Sequence, residues 1–171
     1  MRITDVRVSE VPLNTDISNA VINFAKMTVS MVAVYTDAVV DGEPVVGYGF
    51  HSNGRYAQSG LLETRLLPRL KAASKEELLD ADTGLIDPIA VRQVVMRNEK
   101  PGGHGDRAVA VGTLDMAMWD AAAKAAGQPL YRVLHDRFNP TNPLPESVSV
   151  YAAGGYYRDG GDISALQQEI K

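Results

Sequence analysis

Ala108-Val-Ala-Val-Gly-Thr-Leu-Asp-Met-Ala-Met-Trp-Asp-Ala-Ala-Ala-Lys-Ala-Ala126, followed by Gly127, is the segment around which the rest of the chain arranges itself. Val111, Leu114, Met118 and Ala122 recur at three- and four-residue steps, one apolar stripe on a helix. The alanines favour that helix intrinsically, and Gly127 is a natural stop because it can take the left-handed conformation that ends a helix. Asp115 and Asp120 lie five apart, so they do not share a face well and make poor joint metal ligands. Trp119 reads as a packing residue.

Upstream the pattern changes. Residues 2–12 alternate loosely, with Ile3, Val6, Val8 and Val11 against Arg2, Asp5, Arg7 and Ser9, as in a strand that Pro12 stops. Residues 13–24 are rich in turn formers and read as a loop. Residues 27–40 form a long strand apolar on both faces, which predicts cover on both. Asp41-Gly42 tolerates positive φ and turns it back into Val45–Phe50, a hairpin. The polar stretch 51–60 is a loop. Leu62, Leu66, Leu67 and Leu70 then have helical spacing, and Asp87-Pro88 is an N-cap followed by a proline at the first helical position, giving a helix to about Asn98. Lys100-Pro-Gly-Gly-His-Gly-Asp106 cannot continue it. Beyond Gly127, 129–137 is a further short helix, 138–147 a proline- and asparagine-rich linker, Val148–Ala153 a strand ending at Gly154-Gly155, and Asp162 the opening of a last helix that runs to Lys171. Strands first and helices after predict one α+β domain over 1–137, a three-stranded antiparallel sheet followed by a helical bundle. Residues 148–171 read as the first strand and partial helix of a β/α fold.

Composition bounds what such a chain can do. Its 171 residues suit one domain or one and a part. Apolar residues are 45% and charged residues 22%, which excludes wholesale disorder. A net charge of −4 lacks the basic footprint of a nucleic-acid binder. No cysteine is present, so disulfides, thiolate metal sites and thiol catalysis are excluded. The first residues lack the apolar core of a signal peptide and no stretch approaches the roughly 20 apolar residues of a membrane span, so a soluble cytoplasmic protein without a membrane partner is expected.

Motifs narrow this further. Gly47-Tyr-Gly49 superficially matches a dinucleotide-binding turn, but position 52 is Ser and no helix opens there. In Lys100-Pro-Gly-Gly-His-Gly, glycines allow close backbone approach and Lys100 supplies a charge suited to a carboxylate or phosphate; a plain helix-to-helix loop with a solvated lysine is the commoner outcome. His51, Asn53, Arg55 and Tyr56 form a second polar loop whose donors could meet an oxyanion. His135 reads as a surface residue near a helix end. The residues alone thus point to two candidate anion loops and no catalytic machinery.

One segment carries more. Ala110-Val-Gly-Thr-Leu-Asp-Met-Ala-Met-Trp-Asp-Ala-Ala-Ala-Lys-Ala-Ala-Gly-Gln-Pro-Leu-Tyr-Arg-Val-Leu134 resembles the N-terminal-domain signature of the mandelate racemase/muconate lactonizing enzyme family of the enolase superfamily. Thr113 and His135 depart from the usual small residue and glycine. Residues 45–56, 98–105 and 150–157 resemble most the acid-sugar dehydratases within that family. The resemblance implies a capping domain over 1–137 and the start of a truncated (β/α)₈ barrel over 148–171. It implies a lyase, a magnesium cofactor (Mg2+) in the full-length enzyme, a small dicarboxylate or acid-sugar substrate, and a homo-oligomer. The family's lysine base, carboxylate metal ligands and histidine acid lie on later barrel strands, so the 171-residue chain alone is expected to be inactive, with no catalytic and no metal-ligating residue of its own. What it can supply is substrate contact from cap loops. By match to the dehydratase pattern these are Asn19, Asn53, Lys100 and Tyr156, with Arg55, His104 and Tyr151 as second choices. The ordinary alternatives are loop capping for the two asparagines, a surface charge for Lys100 and core packing for Tyr156. A stand-alone module binding a small carboxylate or a partner without turnover stays open, as does racemisation or another acid-sugar dehydration.

Overall fold

The computed structural model describes residues 1–51, 56, 58–101, 105–152 and 161–170. Three strands, β1 (Ile3–Pro12), β2 (Thr28–Val40) and β3 (Glu43–Phe50), form an antiparallel sheet in the order β1-β2-β3. The β2–β3 turn is two residues long, with Asp41 at φ 52° and Gly42 at φ 83°. Both central residues have positive φ, as the right-handed strand twist requires.

Period-two alternation sends Ser30, Val32, Val34 and Thr36 of β2 inward, where all four are buried. The buried Thr36 hydroxyl donates to the Val45 carbonyl at 2.9 Å, which satisfies it. The opposite face differs from the sequence expectation of cover on both sides. Val11, Met31, Tyr48 and Phe50 lie there and are exposed, Phe50 by 61%. No element of the described chain crosses that side, so the apolar pattern of β2 is only half used.

Helices cover the inner face. A helical run over 58–72 consists of α1 (Gln58–Leu61), a π-type turn (Leu62–Leu66) and α2 (Leu67–Ala72). Pro68 has no N–H for the ladder, and the widened turn before it lets the helix pass. Leu62, Leu66, Leu67 and Leu70 are buried, as their spacing predicts. Helix α3 (Pro88–Val95) begins on Asp87, whose carboxylate accepts from the Ile89 N–H at 3.0 Å. Helix α4 (Asp106–Ala125) buries Val111, Leu114, Met118 and Ala122 and ends at Gly127 (φ 64°). There the Gln128 N–H reaches the Ala123 carbonyl at 3.1 Å and the Gly127 N–H that of Lys124 at 3.0 Å, the paired bonds of a left-handed helix stop.

The Gly47 and Gly49 pair finds its explanation here. A Cβ on Gly47 would stand 2.1 Å from the Ala117 carbonyl oxygen, and one on Gly49 2.3 Å from that of Thr113. The backbone of β3 therefore lies directly on α4, across Thr113, Ala117 and Ala121. Small residues on the helix and glycines on the strand are two halves of one seam. Asp120 closes its edge, accepting from the Tyr48 N–H at 2.8 Å and from Lys124 Nζ at 2.6 Å.

Helix α5 (Leu130–Phe138) follows, with the Phe138 ring 5.9 Å from that of Trp119 and Arg137 bonded to Asp87 at 2.9 Å. His135 is not the loose surface residue its position suggests. Its side chain is only 13% exposed, with Nδ1 3.1 Å from Asp136 and Nε2 2.9 Å from the Asn142 carbonyl, tying the linker to α5. The strand expected over Val148–Ala153 is absent from its described part: 148–152 are unpaired and exposed, Tyr151 by 90%. A parallel strand needs a neighbour, and no described residue provides one. Helix α6 (Ile163–Ile170) is present, capped by Asp162, whose carboxylate accepts from the Ala165 N–H at 2.9 Å.

Candidate functional site

Three loops leave the same end of the sheet. Pro12 pairs with Thr28, so 13–27 returns there. Phe50 pairs with Met31, so the loop after β3 starts there too. Gln58 then bonds Asp106 at the first turn of α4, bringing the segment after Glu99 to that end. Asn19 and Lys100 sit in two of these loops. Asn53 and Tyr156, with Arg55 and His104, lie outside the described residues, and Tyr151 is in the unpaired stretch 148–152.

Asn19 behaves as a loop cap. Its Oδ1 accepts from the N–H groups of Val21 (2.9 Å) and Ile22 (2.8 Å), and its own N–H reaches the Ile22 carbonyl at 2.8 Å. The oxygen is thereby committed to the backbone, and the side-chain NH₂ is what this residue can still offer a ligand.

His51 is buried, not a free donor of the second loop. Its Nε2 accepts from the Ser30 N–H at 2.8 Å, extending the β2–β3 pairing by a side chain. The other ring nitrogen then carries the proton in the neutral ring.

Lys100 is exposed and follows a feature that sequence reasoning missed. The Glu99 carboxylate is nearly buried, at 1% exposure, and held by three guanidinium groups. Arg65 grips both oxygens at 2.8 Å, Arg69 bonds Oε1 at 2.8 Å, and Arg107 bonds Oε2 at 3.0 Å. The hydrogen bonds from Arg69 lead in pulling the Glu99 carboxyl down from its ordinary value of 4.5 to about 2, with Arg65 and Arg107 adding to it against the cost of burial. Arg107 also donates to the Lys100 carbonyl at 3.1 Å, and Arg69 to that of Val95 at 2.7 Å. The backbone that carries Lys100 is thus pinned to two helices. Three guanidinium groups thus converge on one carboxylate directly before Lys100. The sequence held only a hint of it: Arg65 and Arg69 at helical spacing, and an acidic residue directly before Lys100.

Gln58 joins two of the loops from below. It is fully buried, and its Nε2 donates to the Tyr56 carbonyl at 3.1 Å and to Asp106 Oδ1 at 3.2 Å. Its Oε1 accepts no hydrogen bond among the described residues.

Asp115 is pushed up by burial between α3 and α4, opposed by Arg92 and by a hydrogen bond from Trp119. Among the described residues no three His, Asp or Glu side chains converge to hold a metal ion. No described helix is long and apolar enough to cross a membrane. The arrangement brings the backbone of Lys100, the Asn19 loop and the start of the loop after β3 to one end of the sheet.

No family model matches the sequence. Among solved structures, the chain is similar to a mandelate racemase/muconate lactonizing enzyme-like protein from Rubrobacter xylanophilus, at 23% identity and a TM-score of 0.48. The alignment covers 78% of this chain and 33% of that one, so the chain spans about a third of the length of that protein.

Proposed function

We propose that this chain is the capping part of a magnesium-dependent acid-sugar dehydratase whose substrate is D-tartrate, converted to oxaloacetate and water. The reading rests on the sequence resemblance over 110–134 and in the three loop strings. The structural observation that carries it furthest is Lys100, held on the Glu99–arginine knot at the end of the sheet where the Asn19 loop also emerges. In the reaction, the proton α to one carboxylate is removed and the hydroxyl on the neighbouring carbon leaves as water. The enol so formed becomes oxaloacetate by proton transfer.

This chain's share is recognition. Lys100 pairs with a substrate carboxylate, on a backbone that Arg107 holds through the Lys100 carbonyl. The Asn19 side-chain NH₂ donates to a substrate oxygen. The loops carrying Asn53 and Tyr156 complete the contact and exclude water from the reacting carbon. The described residues do not fit a magnesium ion; its ligands, with the base and the acid, belong to a barrel following this segment.

The test is a coupled assay for oxaloacetate, with magnesium and D-tartrate, on a full-length protein that contains this sequence. Turnover is expected, and Lys100→Ala should raise KM at least tenfold, the loss of one charge-assisted contact. Absence of turnover with D-tartrate, alongside turnover of another acid sugar in a panel, would reassign the substrate. Dicarboxylate binding without turnover of any panel member would favour a binding module.

A further inference from the structure

A second candidate site lies at the other end of the domain. Between the first half of β1 and the helical run 58–72 opens a cleft with a volume of about 330 Å³. Ser59 bonds Glu10 near the far end of β1, whereas Leu70 and Lys71 face Met1–Val6. The helix and strand therefore run antiparallel, and the cleft sits roughly 18 Å along the helix from the loops of the candidate site.

Its walls are apolar: Ile3 from β1, Leu67 and Leu70 from α2, and Leu78 from the segment that follows. Lys71 and Lys75 stand among its lining residues, and both are exposed. The other charged groups there are already engaged. Arg2 is bound to Asp37 through its Nε (2.8 Å) and its backbone N–H (2.6 Å), and Asp5 is bound to Arg7 at 2.9 Å. Lys71 lies near enough to Asp5 for its charge to help lower the Asp5 carboxyl, after the larger effect of Arg7.

A chain of net charge −4 thus presents two lysines at the mouth of an apolar cleft whose one carboxylate is neutralised by an arginine. The volume lies at the small end of the range of ligand sites. From the cleft and its charge we infer that it binds a small amphipathic carboxylate, the apolar tail against Leu67, Leu70 and Leu78 and the head group between Lys71 and Lys75. The unpaired edge of β1 borders the cleft, so a strand from another polypeptide is the competing occupant; the volume and the lysine pair favour the small acid.

The experiment titrates the intact chain with octanoate, followed by calorimetry and by the methyl resonances of Leu70 and Leu78. One saturable site with shifts at those methyls is expected. Lys71→Glu/Lys75→Glu should weaken it at least tenfold, and octanol, with the same tail and no charge, should bind at least tenfold more weakly than octanoate. Both lysines are exposed, so a thermal melt of the double variant should match the parent. Absence of saturation, equal affinity in the double variant, or loss of binding in Lys100→Ala instead would overturn the assignment. So would protection of β1 amides by an acidic extended peptide that octanoate fails to displace. Because the readout is binding at Leu70 and Leu78, it is independent of whether the loops at the other end serve a dehydratase.

Discussion

At the residue scale, Glu99 shows how one buried charge organises a loop. A carboxylate out of water is costly unless fully paired, and three guanidinium groups pair it. The sign of its pH dependence follows from the depressed carboxyl. The stabilisation is complete above about the ordinary value of 4.5, and is lost as pH falls through about 2. Thermal melts between pH 2 and 7 should therefore show a steep acid limb in the parent. In Glu99→Gln the melting temperature near neutrality should drop by about 5 °C, and that part of the acid limb should flatten. An unchanged acid limb in the variant would mean that other carboxylates set it. Little of this residue's role was legible in the string Asn98-Glu-Lys100. Lys100 drew notice for its glycine neighbours, whereas Glu99 acts through Arg65, Arg69 and Arg107 from two helices, a three-dimensional convergence that spacing along one element only hints at.

At the element scale, the seam between β3 and α4 fixes the relation of sheet to helices. The helix itself was plain in the sequence, down to the stop at Gly127, because a long periodic stripe and a cap agree locally. The hairpin was equally plain, since Asp41-Gly42 suits only a tight turn of that hand. Gly47 and Gly49 were not. Their meaning depends on what lies across from them, so they read as a failed nucleotide motif until the Ala117 carbonyl appeared 2.1 Å from the absent Cβ. Gly47→Ala should destabilise the fold by about 3 kcal/mol or force the helix away, since the obstacle is backbone and cannot rotate aside. Denaturant unfolding would show it, with Gly60→Ala, where a Cβ meets open space, as the comparison. Equal stability of Gly47→Ala and Gly60→Ala would remove the seam from the account. The strand expected over Val148–Ala153 is absent from its described part, 148–152, for the reciprocal reason: an apolar alternating run states a capacity to pair, and pairing needs a second strand.

At the scale of the whole molecule, the described residues cover the sheet on one side only. The doubly apolar pattern of β2 promised two covers, and Met31 and Phe50, cross-strand neighbours on the outer face, remain 40% and 61% exposed. Surfaces of this kind promote association. Met31→Lys/Phe50→Lys should leave the melting temperature within a few degrees, because neither side chain is in the core, while raising the concentration at which the chain starts to associate roughly severalfold. Sedimentation at increasing concentration would measure it, and an unchanged onset would place the sticky surface elsewhere. Three loops thus lie at one end of the domain and an apolar cleft at the other.

The glycine seam has one more consequence, in the molecule's response to hydrostatic pressure. Pressure unfolds proteins by abolishing the voids that imperfectly meshed side chains leave behind. Where β3 meets α4, main chain lies against main chain with alanine methyls filling the remainder. Such a contact holds almost no empty volume to surrender. Under compression the sheet and α4 should stay joined as one incompressible slab, and the yielding should begin among the leucines of 58–72 and the apolar contacts beneath α3.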